Sequence, residues 1–179
     1  QTAPAQTATM PPGVPYIIGN EAAERFSFYG MNSILVTFMT AHMLTAQGTA
    51  NHFSPEKANE WYHNFATAAY GLCIVGAFLA DAVWGKFRTI MTLSIVYCLG
   101  HFALAINDTE NGLLFGLALI ALGAGGIKPC VSANVGDQFG PANQHLMQQV
   151  YNWFYFSINS GSAISTLLIP WLLNDKRFG

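Results

Sequence analysis

The sequence has few charged residues and few cysteines, and each scarcity disfavours a class of protein. Only 9% of the 179 residues are Asp, Glu, Lys or Arg, whereas soluble domains average roughly 25%. Soluble globular domains, disordered chains and nucleic-acid binders are therefore disfavoured, and the net charge of −2 implies no polyanionic partner. The three cysteines lie in apolar stretches, which indicates small buried side chains rather than disulfides or a metal site.

Long uncharged stretches are the main feature of the sequence, in which 52% of the residues are apolar. Five stretches contain no Asp, Glu, Lys or Arg: 26–55, 61–80, 89–107, 111–127 and 138–174. Because a helix needs about 20 apolar residues to cross a bilayer, we predict an all-α, multi-pass membrane protein. The predicted helices lie at about 14–44, 61–84, 89–107, 112–136 and 149–173.

The regions outside these helices suggest the layout of the chain. Residues 1–13 are polar and rich in proline, and we predict a flexible cytoplasmic tail. Residues 45–60 are predicted to form a polar loop. By the positive-inside rule, Lys86 and Arg88 suggest that the connection after the second helix is cytoplasmic. Other basic residues lie on the opposite side, so the orientation stays open. An odd number of helices suggests that 14–179 is part of a longer polypeptide.

Four charged side chains are predicted to lie within the membrane, where each costs about 2.5–3.5 kcal/mol on insertion scales. Glu21, Glu24 and Arg25 have the i, i+3, i+4 spacing of one helix face, and Lys128 lies on the fourth helix. Measured from each helix centre, Arg25 and Lys128 both lie roughly 6 Å to the cytoplasmic side. We predict that the four charges pair in a water-filled cavity of a transport pathway. The alternative is a structural ion pair that only locks the first and fourth helices together.

A second polar stripe lies on the fifth helix. Its residues recur every three or four positions: Asn152, Tyr155, Asn159, Ser162 and Thr166. From spacing alone, hydrogen bonding between helices is the favoured interpretation. The five histidines lack ligand spacing, so no metal site is predicted, and no hydrolase motif supports a catalytic site.

Four motifs resemble those of the proton-dependent oligopeptide transporter family, a branch of the major facilitator superfamily. Residues 21–30, EAAERFSFYG, resemble the signature of that family's first helix. Residues 76–88 are similar to the superfamily's loop motif between helices two and three. Residues 125–130 with 136–139 resemble the fourth helix, and residues 154–162 resemble the fifth.

This resemblance implies both a fold and a function. The fold would have twelve or more helices in two six-helix bundles, with this chain forming helices one to five of the N-terminal bundle. The C-terminal bundle of the same polypeptide would then be a partner. The protein would be a secondary active transporter rather than an enzyme. It would be a multi-pass protein of the inner or plasma membrane that imports di- and tripeptides with protons by alternating access. The proton would be the coupling ion, with no other cofactor.

The resemblance also assigns roles to individual residues. Four would take part in proton coupling: Glu21, Glu24, Arg25 and Lys128. Seven would bind the substrate: Arg25, Tyr29, Asn32, Tyr70, Lys128, Tyr155 and Asn159. Two would take part in conformational gating: Asp81 and Arg88. Burial favours a neutral carboxyl group and nearby cations favour a charged one, so the protonation of the two glutamates would depend on conformation.

One position departs from the family pattern. Asn32 stands where many members carry an arginine that helps to hold the substrate carboxylate, and an asparagine side chain carries no charge. Recognition would then depend more on Lys128 and Arg25, or the substrate range would differ. Two other functions remain open: transport of another small solute, such as an anion or a drug-like molecule, and a non-transporting membrane scaffold.

Overall fold

The computed structural model describes residues 7–174, and within them helices form all of the regular structure. Six α-helices follow one another: α1 Val14–Ala41, α2 Pro55–Gly71, α3 Cys73–Phe78, α4 Lys86–Ile106, α5 Glu110–Gly136 and α6 Met147–Asn174. A π-helical turn, Leu79–Val83, continues α3, so α2, α3 and this turn form one span, Pro55–Val83. The predicted all-α fold with five helices is confirmed in the described part of the chain.

Four of these helical spans are long and apolar enough to cross a membrane. They are Pro55–Val83, Lys86–Ile106, Glu110–Gly136 and Gln144–Asn174, the last of which is α6 with the short 3-10 helix Gln144–Leu146 before it. Helix α1 has 28 residues, which gives it a length of about 42 Å at 1.5 Å per residue. The mean hydropathy of α1 is lower than that of α4 and α5, because the N-terminal half of α1 carries Glu21, Glu24 and Arg25. The predicted membrane span at α1 therefore rests on length and stays a prediction.

The second helix begins earlier than its charge pattern indicates. Residues 55–60, predicted to belong to a polar loop, form the first turns of α2, so the predicted start near residue 61 is wrong. Ser54 caps the helix: its side-chain oxygen accepts a hydrogen bond from the backbone N–H of Lys57 at 3.3 Å. Pro55 suits the first turn because the missing N–H needs no partner there. Helix α1 also ends at Ala41, before the predicted residue 44.

The chain forms two compact units, and the boundaries between them fall within α1 and α5. Of the described residues, one unit contains 35–130 and the other contains 7–34 with 131–174. In the unit of residues 35–130, the backbones of α3 and α5 are in contact at Gly76 and Gly126. A Cβ on Gly76 would overlap the backbone of Gly126. The thiol of Cys130 lies 3.6 Å from the carbonyl oxygen of Gly76. Small residues therefore set the spacing of these helices, as is common in membranes.

The other unit brings α1 and α6 together by the same means. A Cβ on Gly161 of α6 would lie 2.7 Å from the carbonyl oxygen of Ala22. Of the predicted tail, residues 1–6 lie outside the described residues, as do the last five residues, 175–179. Within residues 7–13, Pro11 is buried, and the carbonyl of Thr9 accepts a hydrogen bond from Asn143 Nδ2 at 3.3 Å. These contacts attach the described part of the tail to the connection before α6.

Gly76→Ala tests the close contact between α3 and α5. We expect it to destabilise the protein by about 1–3 kcal/mol, the usual cost of an overpacked contact. The measurement is the Tm of the detergent-solubilised protein.

Gly71→Ala is the matched control, because a Cβ at Gly71 meets no atom within 4 Å. The control should leave the Tm unchanged or raise it, since alanine favours helix formation more than glycine does. Equal Tm values for the two variants would contradict the described contact.

Candidate functional site

Three charged side chains meet on one turn of α1. Glu21, Glu24 and Arg25 are each at most 8% exposed. Arg25 Nε lies 3.0 Å from Glu21 Oε1 and also contacts Glu24 Oε2. The guanidinium carbon lies 5.8 Å from the centroid of the Phe28 ring, within reach of a cation–π interaction. The predicted clustering of these three charges on one face of the first helix is confirmed.

This buried trio, Glu21, Glu24 and Arg25, contains more acid than base. When both carboxylates are ionised its charge is −1, and when one is protonated its charge is zero. Taking charges out of water is costly even when they are paired, so a change in protonation alters the stability of the trio strongly. Arg25 also retains binding capacity, because its buried Nη2 makes no hydrogen bond to any residue of 7–174. The trio is therefore able to exchange a proton and to donate a hydrogen bond to an anion.

Two predicted substrate residues continue the same face of α1. Tyr29 is 36% exposed, and its ring meets the ring of Phe28 edge-on, with centroids 5.6 Å apart. Asn32 lies seven residues after Arg25, and its buried Oδ1 has no hydrogen-bond partner among the described residues. Both side chains are thus placed on the face that carries the trio, as the sequence predicts.

The predicted residues of α6 are exposed. Tyr155 is 56% exposed and stacks on Tyr151 with centroids 6.4 Å apart, and Asn159 is exposed as well. The expected hydrogen bonds from this stripe to other helices are absent in the described residues. Asn152 instead accepts from Gln148 within α6 at 3.1 Å, and Ser162 Oγ donates to the Ile158 carbonyl at 3.0 Å. Among residues 7–174 these side chains are exposed or bond along their own helix, so the interhelical interpretation of the stripe stays a prediction.

Lys128 and Tyr70 form a second pair, in the unit of residues 35–130. Lys128 Nζ lies 4.4 Å from the centroid of the Tyr70 ring, and Tyr70 is 66% exposed. Lys128 is partly buried and precedes Pro129, which lies inside α5. A cation over an aromatic face is stabilised by the ring quadrupole. The structure therefore brings two predicted site residues together here, while the predicted pairing of Lys128 with the acids of α1 stays a prediction.

The two predicted gating residues flank a break in the helical pattern. Asp81 lies in the π-helical turn, where the Trp84 N–H donates to the Leu79 carbonyl at 2.8 Å. Arg88 lies in the first turn of α4, after Gly85 with φ of +79°. Both charged side chains are exposed, and no ion pair joins the two. Turns of π type are frequent at functional sites, but the gating role of both residues stays a prediction.

The sequence interpretation gave no separate role to Gly161, which belongs to the site. Gly161 closely approaches the backbone of Ala22, the residue that follows Glu21, so α6 packs against α1 beside the trio. The available signal was the run of small residues Ser160, Gly161 and Ser162, which is typical of close helix contacts in membranes.

The comparison with protein families shows to which family the chain belongs. The model of the POT family matches residues 87–179, just over half of the chain. The chain belongs to the POT family. It is a multi-pass membrane protein, as are the POT family transporters of known structure.

Curated relatives and solved structures agree with this membership. The chain is 40% identical to "Peptide transporter family 1" of Drosophila melanogaster over 92% of its own length and 22% of the relative's. It is 39% identical to "Solute carrier family 15 member 2" of Homo sapiens over 93% of the chain and 23% of the relative. The chain therefore spans less than a quarter of the length of these two relatives.

Two solved POT structures match the fold closely. The POT family transporter PepTSo is 42% identical, with a TM-score of 0.85, over 94% of this chain and 33% of that one. The peptide transporter POT in complex with alafosfalin is 30% identical, also with a TM-score of 0.85, over 98% of this chain and 36% of that one. The predicted fold of a major facilitator bundle is thereby confirmed.

Arg25→Met tests the buried trio. The substitution leaves two carboxylates buried without the guanidinium, so we expect a loss of about 3–5 kcal/mol in the free energy of unfolding. The measurement is the Tm of the complete protein in detergent at neutral pH.

Lys57→Met is the matched control. Lys57 pairs with Glu110 at 3.1 Å, but both side chains are more than 40% exposed. An exposed pair contributes about 1 kcal/mol at most. If both variants lowered the Tm equally, the buried trio would not have the energetic weight assigned to it.

Proposed function

We propose that this chain is part of a proton-coupled symporter that imports di- and tripeptides by alternating access across the inner or plasma membrane. Relatives over the same region are named peptide transporters, and one solved neighbour is described as bound to a "thioalcohol conjugated peptide". The single observation that carries the proposal is the buried trio of Glu21, Glu24 and Arg25.

The two acids supply the proton site of this mechanism. With both ionised, the three side chains of the trio together carry a charge of −1, and a low-dielectric environment amplifies the repulsion between the two carboxylates. Protonation of either carboxyl group removes that net charge. A change in solvent access or in nearby charge therefore shifts the proton equilibrium of the pair, which is what coupling to a proton gradient requires.

Two cations supply the site for the peptide carboxylate. Arg25 offers its buried Nη2, which makes no hydrogen bond to the described residues. Lys128 is partly buried, and its ammonium group lies over the Tyr70 ring. On the basis of the sequence motif, we propose that Lys128 pairs in turn with the acids of α1 and with the carboxylate of the substrate. Protonation of a glutamate would then release a cation for the peptide, which links proton entry to substrate binding.

The neutral side chains of the proposed site suit a small peptide. Tyr29, Tyr70 and Tyr155 are all at least 36% exposed among the described residues, and each carries an aromatic ring and a hydroxyl group. Asn159 is exposed and provides both a donor and an acceptor. Aromatic rings tolerate varied side chains, whereas the charged groups fix the orientation of the peptide. This combination favours a transporter that accepts many short sequences.

Glu24→Gln and Lys128→Ala test these roles in the complete protein reconstituted in proteoliposomes. The glutamine resembles a permanently protonated acid and cannot release its proton, so proton-driven accumulation of a labelled dipeptide should fall to background. The alanine removes a cation for the carboxylate and should also abolish accumulation. Competition by unlabelled di- and tripeptides, but not by nitrate, should be seen for the native protein.

Glu60→Gln provides the control, because Glu60 is an exposed acid of α2. It should accumulate dipeptide at the native rate. Normal accumulation by either test variant would show that the assigned role is wrong, and competition by nitrate alone would favour an anion cargo.

A further inference from the structure

The segment just before α1 is packed into the protein. Pro11 is less than 2% exposed, and Val14, the first residue of α1, is 2% exposed, whereas Pro12 between them is exposed. The Val14 N–H donates to the Pro11 carbonyl at 3.1 Å, so the chain turns directly into the helix. Gly13 lies against Gln138, because a Cβ on Gly13 would be 3.1 Å from Gln138 Oε1. This segment therefore has a fixed place beside the end of α5.

Asn143 ties the same segment to the α5–α6 connection, residues 137–146. Its side chain is 0% exposed, and both ends of its amide form hydrogen bonds. Asn143 Oδ1 accepts from the Gly140 N–H at 2.8 Å, which closes a turn within the connection. Asn143 Nδ2 donates to the Thr9 carbonyl at 3.3 Å, although the two residues are 134 positions apart in sequence. One buried amide therefore joins two distant parts of the chain, both of which belong to the unit of residues 7–34 and 131–174.

The burial of Asn143 makes each of the two parts depend on the other. Buried polar groups are almost always hydrogen-bonded, because one that loses its partner also lacks water to replace it. If the segment leaves, Asn143 Nδ2 loses the Thr9 carbonyl. If the connection loosens, the Thr9 carbonyl loses its donor, and Gly13 loses its contact with the side chain of Gln138. Opening at either place is therefore unfavourable while the other stays closed.

We propose that residues 9–14 form a strap that fastens the start of α1 to the α5–α6 connection, so that the two ends open and close together. Coupling of this kind is reciprocal, and whatever loosens one end loosens the other. Glu21, the first residue of the buried trio, lies two turns after Val14 on α1. The strap therefore passes a movement of the connection to the helix that carries the trio, whatever solute is transported.

The first arm of the test breaks the strap at the connection and observes α1. Asn143→Leu removes both hydrogen bonds of the amide at similar volume. The measurement is backbone hydrogen exchange of the complete protein in detergent, which reports local opening. We expect exchange over residues 14–18 to become about fivefold faster, as the loss of one hydrogen bond implies. That range includes the N–H groups of Val14 and Ile17, which donate to the Pro11 and Gly13 carbonyls.

The second arm breaks the strap before α1 and observes the connection. Pro11→Asp places a charge at a buried position, which is unfavourable unless the segment moves out to water. We expect exchange over residues 139–146 to become at least about fivefold faster, because Asn143 then lacks the Thr9 carbonyl. Each arm thus changes one end and measures the other, so a purely local disturbance gives no signal.

Two matched controls make similar changes at exposed neighbours: Gln144→Leu for the amide and Pro12→Asp for the proline. Both should leave exchange at the opposite end at the native rate. Residues 107–113, in the other unit, should exchange at the native rate in all four variants. Native exchange at the opposite end in either test variant would refute the strap. Faster exchange that extends to residues 107–113 would refute it too, because it would show general destabilisation rather than local coupling.

Discussion

The pairing of two buried carboxylates with one guanidinium is the interaction on which the rest of the account depends. Glu21, Glu24 and Arg25 lie within one turn of α1, and all three are removed from water. Such an arrangement is costly in any fold and costlier in a membrane protein. The second acid makes the net charge of the trio depend on a single proton, and this property gives the site its proposed use.

In each unit, helices pack closely against one another through small residues. Gly161 lets α6 approach the backbone of α1 beside the trio, and Gly76 with Gly126 does the same for α3 and α5. In a bilayer, helices associate through such packing because lipid tails are as apolar as their side chains. Tyr70 and Tyr155 lie outside these close contacts and are exposed.

Sequence spacing predicts the helices and the trio well, because both depend on local periodicity and charge. It fails at residues 55–60, where charged side chains suggested a loop although Ser54 and Pro55 form a regular helix start. For the polar stripe of α6, spacing shows which residues share a face but not what that face meets. That Asn32 Oδ1 has no hydrogen-bond partner within residues 7–174 is likewise beyond prediction, because it depends on the surroundings of one atom.

The most direct test of the central claim is infrared difference spectroscopy of the complete protein, recorded as dipeptide is added at constant pH. The account predicts a change in the protonated-carboxyl band of the native protein, because substrate binding alters the proton occupancy of the acids on α1. The change should disappear when Glu21 and Glu24 are both replaced by glutamine. A band change that persists in that double variant would contradict the account.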